Sequence, residues 1–423
     1  MSRLYRHAGA TFEGGDSSTD GSARRTTTTV VLAALIVGLV AAVLAAADRT
    51  PDAASSPLTP PGGWRAVLIS AAVLAFVAYV GVLLLLRRGG HLVPILVLAS
   101  ILQLIPLLGP TLLSRDVYAY WAYGRVGAVH EANPYEDAPA QWPDDPATRA
   151  MGSSWREQPS LYGPAFTLLS EAVAVAAGDS ARHASAIFRG LAALSILAIV
   201  ALASFLAVNR AFAAAFVGLN PLVALHFGGG GHNDALMIAL VLGALALHRS
   251  RRDSLGGAAW ALSALIKWVS LAFLALVALG ERRERGVRVL GWGAVWIVAF
   301  GIGATALYGT AWFTAAERLS AQARRTGSIG LSGWLQDLGL SHRPIVVLIG
   351  LLTLAAAAWL GRQAWRGHVR LGLAGVLLAA LQGWLNPWYA LWGLALAAPE
   401  QDRTAQVLAV ALSAFLLRDA LPI

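Results

Sequence analysis

An all-α, polytopic membrane fold is predicted by three features of this sequence. Of its 423 residues 57% are hydrophobic and only 13% charged, roughly half the charge a soluble domain uses to cover its surface. Apolar runs of roughly 17 to 23 residues recur along the chain, long enough to cross the hydrocarbon core of a bilayer. The basic residues bunch in short blocks between these runs, the pattern of membrane topology. The net charge of +9 therefore does not point to nucleic acid. With no Cys in the chain, disulfides and thiol chemistry are excluded.

The expected organisation is a disordered cytoplasmic tail (1–26), rich in Gly, Ser, Thr and Arg, followed by one polytopic domain (27–423). That domain should hold about 12–14 membrane segments. The first runs from Val30 to Ala47; its closing Ala45-Ala46-Ala47 resembles a cleavage site, but its length and the long polar tail before it favour an uncleaved span. Arg24-Arg25 before it and Arg87-Arg88 after the second span (Trp64 to Leu86) place both pairs in the cytoplasm and the Pro-rich link from Thr50 to Gly63 outside. A third span, His91 to Leu113, then delivers Ser114, Arg115 and Asp116 to the outer face.

The interval from Ser114 to Gly163 is the longest polar stretch after the tail, holding seven of the 23 acidic residues, with aromatic residues among them. It supplies the first outer loop (114–160) and is expected to face water. Leu161 to Gly178 reads as a re-entrant or interfacial piece, Ala184 to Val208 as a full span, and Ala211 to Phe227 and Asp234 to His248 as shorter ones. The basic block Arg249 to Arg252 puts the GGGGHND turn on the same side as the first outer loop. Leu255 to Leu279 has basic flanks at both ends, which a single crossing does not explain. Two half-length helices meeting near Lys267 do, and a single span with a snorkelling lysine is the plainer alternative. A span from Val289 to Tyr308, a second outer loop (309–343), spans near Pro344 to Leu360 and Val369 to Leu385, the break LNPWYALW and a final helix from Thr404 to Leu417 complete the chain.

Several residues have the chemistry of a site. Asp116 lies directly after a span among Tyr118, Tyr120, Trp121 and Tyr123, where a carboxylate serves as a general base once its neighbours set its pKa; a solvated ion pair with Arg115 or a helix cap is the structural alternative. His232, Asn233 and Asp234 follow four glycines that let the backbone approach a ligand closely, although Asp234 has an equally simple use as a cap. A His beside an Asp is also a weak signal for metal, without a second ligand cluster. Lys267 is the sole lysine among 32 basic residues, and it sits in an apolar stretch where an ammonium needs a partner. A phosphate suits it, since lysine binds phosphate as a compact point charge. Trp388, Tyr389 and Trp392 fit an aromatic belt, or a surface that stacks on a sugar.

Five stretches taken in order resemble one family: SRDVYAYWAYGR with NPY, SLYGPAFTLLS, GLNPLVALHFGGGGHNDALM, a Lys in an Ala/Leu helix, and LNPWYALW. Together they are similar to the actinobacterial polyprenol-phosphate-mannose-dependent α-1,6-mannosyltransferases, which are GT-C glycosyltransferases. The similarity runs over roughly residues 90–395. It implies inverting transfer of mannose from a polyprenyl-phosphate donor to a glycan or glycolipid acceptor on the outer side of the bacterial plasma membrane, with no cofactor. By that pattern Asp116 is the catalytic base. Many GT-C enzymes carry two adjacent acids there, whereas this chain has Arg115-Asp116, which argues against a metal-dependent mechanism. Arg115, Lys267, Arg324 and Arg325 are then candidates for the donor phosphate. Tyr118, Tyr162, His232, Asn233, Asp234, Trp388 and Tyr389 are candidates for acceptor or sugar. The competing readings are a transporter or flippase for a lipid-linked sugar, against which the missing repeat counts, and a non-catalytic assembly partner.

Overall fold

The computed structural model describes residues 18–283 and 286–423, with side chains from residue 23 onward. Residues 1–17 of the expected tail lie outside the described residues, and helix α1 (Ser18–Ala47) already includes the rest of that interval. The described residues form helices and connecting turns, with no strand among them. The polytopic helical class is thus borne out, and the chain is an integral membrane protein.

Among the described residues, five helices are long and apolar enough to cross a membrane. They are α1 over its Ala23–Ala47 part, α2 (Trp64–Leu86), α7 (Ala181–Leu206), α13 (Gly286–Tyr308) and α16 (His342–Trp365). A sixth is the pair α8 (Arg210–Gly218) and Pro221–Gly229, bent by 48°. That second limb starts with the single turn α9 (Pro221–Val223) and continues as a π-helical turn over Ala224–Gly229. The bend follows from Asn220-Pro221, because proline lacks the N–H that would continue α8. The Asn220 side chain accepts from the free N–H groups of Leu222 and Val223.

The remaining apolar segments are shorter than the expected spans. The third, expected over His91 to Leu113, is helical only as α3 (Leu92–Leu104) and a 3₁₀ turn to Leu108, after which non-helical chain runs through Gly109-Pro110 to Ser114, with Leu113 at φ +62°. The 114–160 interval, expected as a loop in water, is not a free loop. It starts with α4 (Asp116–Ala128), whose Val117, Tyr120, Trp121, Tyr123 and Val126 are buried, because its aromatic residues recur on both sides of the helix and leave no polar face. The loop continues through the turn α5 (Pro146–Ala150) and returns by α6 (Pro164–Ala177), which packs along α4.

Helices α10 (Asp234–Arg249), α11 (Asp253–Ile266) and α12 (Ser270–Gly280) follow α9. The apolar stretch around Lys267 is two helices, α11 and α12, as its basic flanks predict; Lys267 itself is extended at φ −151°. The 309–343 interval contains α14 (Thr314–Ala323) and α15 (Leu331–Asp337). After α16 come α17 (Leu371–Ala380), a 3₁₀ turn over Pro387–Tyr389, α18 (Ala390–Ala397) and α19 (Arg403–Leu417).

Broken helices leave carbonyls without partners, and membrane-buried carbonyls must be satisfied by protein. Arg189 on α7 does this, donating from Nε to Gly228 O at 3.0 Å, from Nη1 to Gly109 O at 2.9 Å, and from Nη2 to Pro106 O. One buried guanidinium thereby ties the end of α3 to the glycine turn.

Candidate active site

Two carboxylates open helices at one cavity, Asp116 in its wall and Asp234 behind Lys267. Asp116 is the first residue of α4 and Asp234 the first of α10, positions where the helix dipole favours negative charge. Backbone N–H of Asp116 donates to Ser114 Oγ at 3.1 Å. Its Oδ2 lies 3.3 Å from His232 Nδ1. His232 is fully buried and stacks on Trp388, ring centres 3.7 Å apart and 17° from parallel. Burial pushes the Asp116 carboxyl up, but the His232 contact, the Ser114 hydrogen bond and the charge of Lys267 together hold it below the ordinary carboxylate value. The carboxylate is therefore ionised at neutral pH while its side chain keeps 22% of its exposure.

Asp234 is wholly buried and accepts three hydrogen bonds. Two come from Lys267 Nζ, both at 2.8 Å, and one from Trp392 Nε1 at 2.7 Å. The half-buried ammonium thus has a carboxylate partner, the pairing that a wholly buried Asp234 needs. Lys267 Nζ also lies 5.0 Å from the ring centre of Tyr389 and 5.7 Å from that of Trp392, within cation–π range. The role of helix cap expected as the simple use of Asp234 is absent: neither it nor Asn233 makes a side-chain cap bond to α10, because the Asp234 carboxylate is turned toward Lys267.

The cavity between these pairs has a volume of about 250 Å³, and Asp116, Asn233, Lys267, Asn386, Trp388 and Tyr389 are among its walls. Tyr120 and Tyr162, packed edge to face at 5.0 Å, close one side. Trp155 and Trp384 also line it, as do Leu319 and Gln322 of α14. Asn233 is buried, yet neither its amide nitrogen nor its oxygen has a protein partner. An unsatisfied donor and acceptor on a cavity wall mark a place where a polyhydroxylated ligand would bond.

Backbone contacts join the pieces. Gly163 N donates to Ile266 O at 3.3 Å, satisfying a carbonyl at the end of α11 just before Lys267. A Cβ on Gly163 would stand 2.0 Å from Leu265 O, so the returning loop can lie on the Lys267 break only with glycine there. Gly231, at φ +75°, brings a Cβ position within 2.5 Å of Val117 Cγ1 and sets the direction of His232. Gly163→Ala is expected to lower stability by about 1–3 kcal/mol, the cost of overpacking, and to loosen the Lys267 break. Thermal unfolding of purified protein checks the first effect and protease sensitivity near residue 267 the second.

The other expected site residues lie elsewhere. Arg115 points away, its Nη2 2.7 Å from Asp52 Oδ2 and its Nη1 3.2 Å from Ala150 O; it pairs with an acid of the Thr50–Gly63 link rather than with Asp116. Arg324 is exposed at the end of α14. Arg325 sits behind the wall, 5.6 Å from the Trp155 ring centre. Tyr118 shares a hydrogen bond with Thr111 at 3.1 Å. Tyr162, Asn233, Trp388 and Tyr389 line the cavity, while His232 and Asp234 support Asp116 and Lys267 from behind. Among the described residues no three His, Cys, Asp or Glu side chains form a metal site.

Two arginines escaped the sequence reading. Arg189 carried a signal, a charge inside an apolar run. Arg318 on α14 donates to Ser160 O at 3.1 Å and Tyr135 O at 2.7 Å, fastening the 309–343 interval onto the 114–160 interval. Nothing in its local sequence marks it.

A family model described as alpha-(1->6)-mannopyranosyltransferase, N-terminal domain, matches residues 25–281. The match takes in Asp116, His232, Asp234 and Lys267 and stops before Trp388. Alpha-(1->6)-mannopyranosyltransferase B of Corynebacterium glutamicum is 29% identical over 334 residues, 67% of this chain and 55% of the relative. Alpha-(1->6)-mannopyranosyltransferase A of Mycobacterium tuberculosis is 29% identical over 361 residues, 74% of this chain and 66% of the relative. A probable alpha-(1->6)-mannopyranosyltransferase of Mycolicibacterium smegmatis is 28% identical over 356 residues, 69% and 62%. The chain thus spans between 55% and 66% of the length of these relatives. No solved structure matches it. With more than half of its residues under the family model, the chain belongs to the alpha-(1->6)-mannopyranosyltransferase family.

Proposed function

We propose that this chain transfers a mannosyl residue from polyprenyl-phosphate mannose to a hydroxyl of a glycan or glycolipid, with inversion, on the extracytoplasmic side of the bacterial plasma membrane. The observation that carries the reading is that Asp116 and Lys267 face one aromatic-walled cavity, each held by its own buried partner. The family to which the chain belongs supplies the sugar.

In this reaction Asp116 takes the proton of the acceptor hydroxyl as its oxygen bonds to C1 of mannose. The bond from C1 to the phosphate oxygen breaks and the polyprenyl phosphate leaves with the electron pair. Lys267 stabilises the charge growing on that phosphate, which is worth most in a water-poor site. Its ammonium has a third N–H beyond the two given to Asp234. Asp234 and Trp392 hold the lysine in place; His232, fixed by Trp388, holds the carboxylate. Asn233 receives sugar hydroxyls, and Trp388 and Tyr389 offer ring faces to the pyranose.

The donor is tested in proteoliposomes holding the purified chain, with a mannoside acceptor. Polyprenyl-phosphate mannose supports transfer and a nucleotide-linked mannose does not; equal use of the nucleotide sugar would sink the donor assignment. Sidedness is tested by single cysteines in this Cys-free chain. Ala140→Cys, Gly230→Cys and Ser328→Cys lie in the first loop, the glycine turn and the second loop. The first and third are expected to react with an impermeant thiol reagent from outside. Gly230 lies against His226 O, Leu112 O and His232 Nε2, so its cysteine should label only after mild denaturation, and then from outside. Labelling of any of the three from the cytoplasmic side alone would contradict the orientation.

A further inference from the structure

At the other end of α3 from Asp116 the structure holds a second cavity, unconnected with the transfer site. Its volume is about 280 Å³, and it lies where the start of α1, the end of α2 and the start of α3 meet. Arg25, Thr26, Arg88 and His91 supply its polar wall; Leu86 and Ile95 are part of its floor. Among the described residues no acid lines it, and none pairs with Arg25 or Arg88. The N-terminal end of α3 borders it through His91, adding the partial positive charge of a helix start. Below it, Val31 and Leu35 on α1 and Val93 and Val97 on α3 are exposed apolar residues, a surface that only acyl chains would cover in a bilayer.

A neighbouring crevice makes the comparison. Arg87, one residue away, turns instead into a cavity of about 360 Å³ with Asn209, Glu400 and Arg403. There a carboxylic acid accompanies the two arginines. Adjacent arginines of one turn thus serve two crevices, and only that of Arg25 and Arg88 combines basic walls with no acid and a lipid-facing apolar seam.

We propose that the Arg25–Arg88 crevice is a binding site for the phosphate headgroup of an anionic phospholipid, whose acyl chains run down the seam between α1 and α3. The two arginines bind the phosphate oxygens, and Thr26 and His91 lie beside them as further polar groups. This site is independent of the sugar-transfer reading.

The test measures binding of fluorescent phosphatidylglycerol to the detergent-solubilised full chain. Phosphatidylcholine and inorganic phosphate serve as competitors. Wild type is expected to prefer phosphatidylglycerol over phosphatidylcholine. Arg25→Gln with Arg88→Gln should weaken binding about thirtyfold, the equivalent of roughly 1 kcal/mol for each basic residue near a lipid headgroup. Arg87→Gln with Arg403→Gln removes the same charge from the other crevice and should leave affinity within about twofold, and Arg88→Lys should keep most of it. Equal loss in both double variants would mean diffuse attraction to a basic face and overturn the site. Displacement by inorganic phosphate at the lipid's own concentration would assign the crevice to soluble phosphate and overturn the lipid assignment. Thermal unfolding of each variant is compared with wild type; should the Arg25/Arg88 double variant unfold early, Arg88→Gln alone carries the test, with about a fivefold loss expected from the same magnitude.

Discussion

Asp116→Asn is expected to lower turnover by about 10²–10⁴-fold, the usual worth of a general base, in protein that still folds and inserts. The amide preserves the shape of the side chain and its contact with His232, but it takes no proton from the acceptor at neutral pH. Donor affinity should change far less, because in the proposed reaction the donor phosphate is held at Lys267, across the cavity. Single-turnover kinetics at saturating donor separate the two effects. A loss confined to KM for the donor would reassign Asp116 to binding.

The second large effect concerns the Asp234–Lys267 pair. A helix-opening Asp used only as a cap tolerates Asn well; a buried counter-ion does not. With its carboxylate oxygens each 2.8 Å from Lys267 Nζ and only 1% of its side chain exposed, Asp234 falls in the second class. Lys267→Met leaves the wholly buried Asp234 charge without its partner and should cost about 3–5 kcal/mol of stability; Asp234→Asn leaves the lysine charge, 19% exposed toward the cavity, and should cost less. The double variant removes both charges and should recover most of that loss, since replacing a whole buried pair is often neutral. Transfer should not recover with it, because the donor phosphate has lost its cation. Thermal unfolding and transfer rates of the three variants give this double-mutant cycle. Additive stability losses would show that the pair is not coupled, and restored transfer in the double variant would remove Lys267 from the chemistry.

The same residues show how far the sequence could be read. The second span was legible to the residue, Trp64–Leu86, because its apolar run is bounded by Gly63 and by Arg87-Arg88. The break at Lys267 was legible from charge alone, since basic blocks on both flanks conflict with one crossing. Asp116, Asn233, Trp388 and Tyr389 stood out by residue type at helix starts and breaks, and all four line one cavity. What the sequence withheld were pairings between distant residues. Arg115 reads as the neighbour of Asp116, yet its partner is Asp52, 63 positions away. Lys267 reads as a cation awaiting a phosphate, and its partner is Asp234, 33 positions away. Third-span length was misjudged for a local reason: Pro106 and Gly109-Pro110 end the helix while the residues stay apolar, so hydropathy runs on past the last helical turn. Burial of α4 was hidden because its tyrosines and Arg125 read as polar; in the structure Arg125 is neutralised by Asp145, Nε to Oδ2 at 2.8 Å.

Stereochemistry tests the central claim most directly. Purified chain in proteoliposomes is given β-linked polyprenyl-phosphate mannose and a mannoside acceptor, and the new linkage is identified by the one-bond carbon–proton coupling at its anomeric carbon. A single displacement with Asp116 as base and a phosphate leaving at Lys267 predicts an α linkage, formed by wild type and lost in Asp116→Asn. A β linkage, or α-linked product made at the wild-type rate by Asp116→Asn, would contradict it.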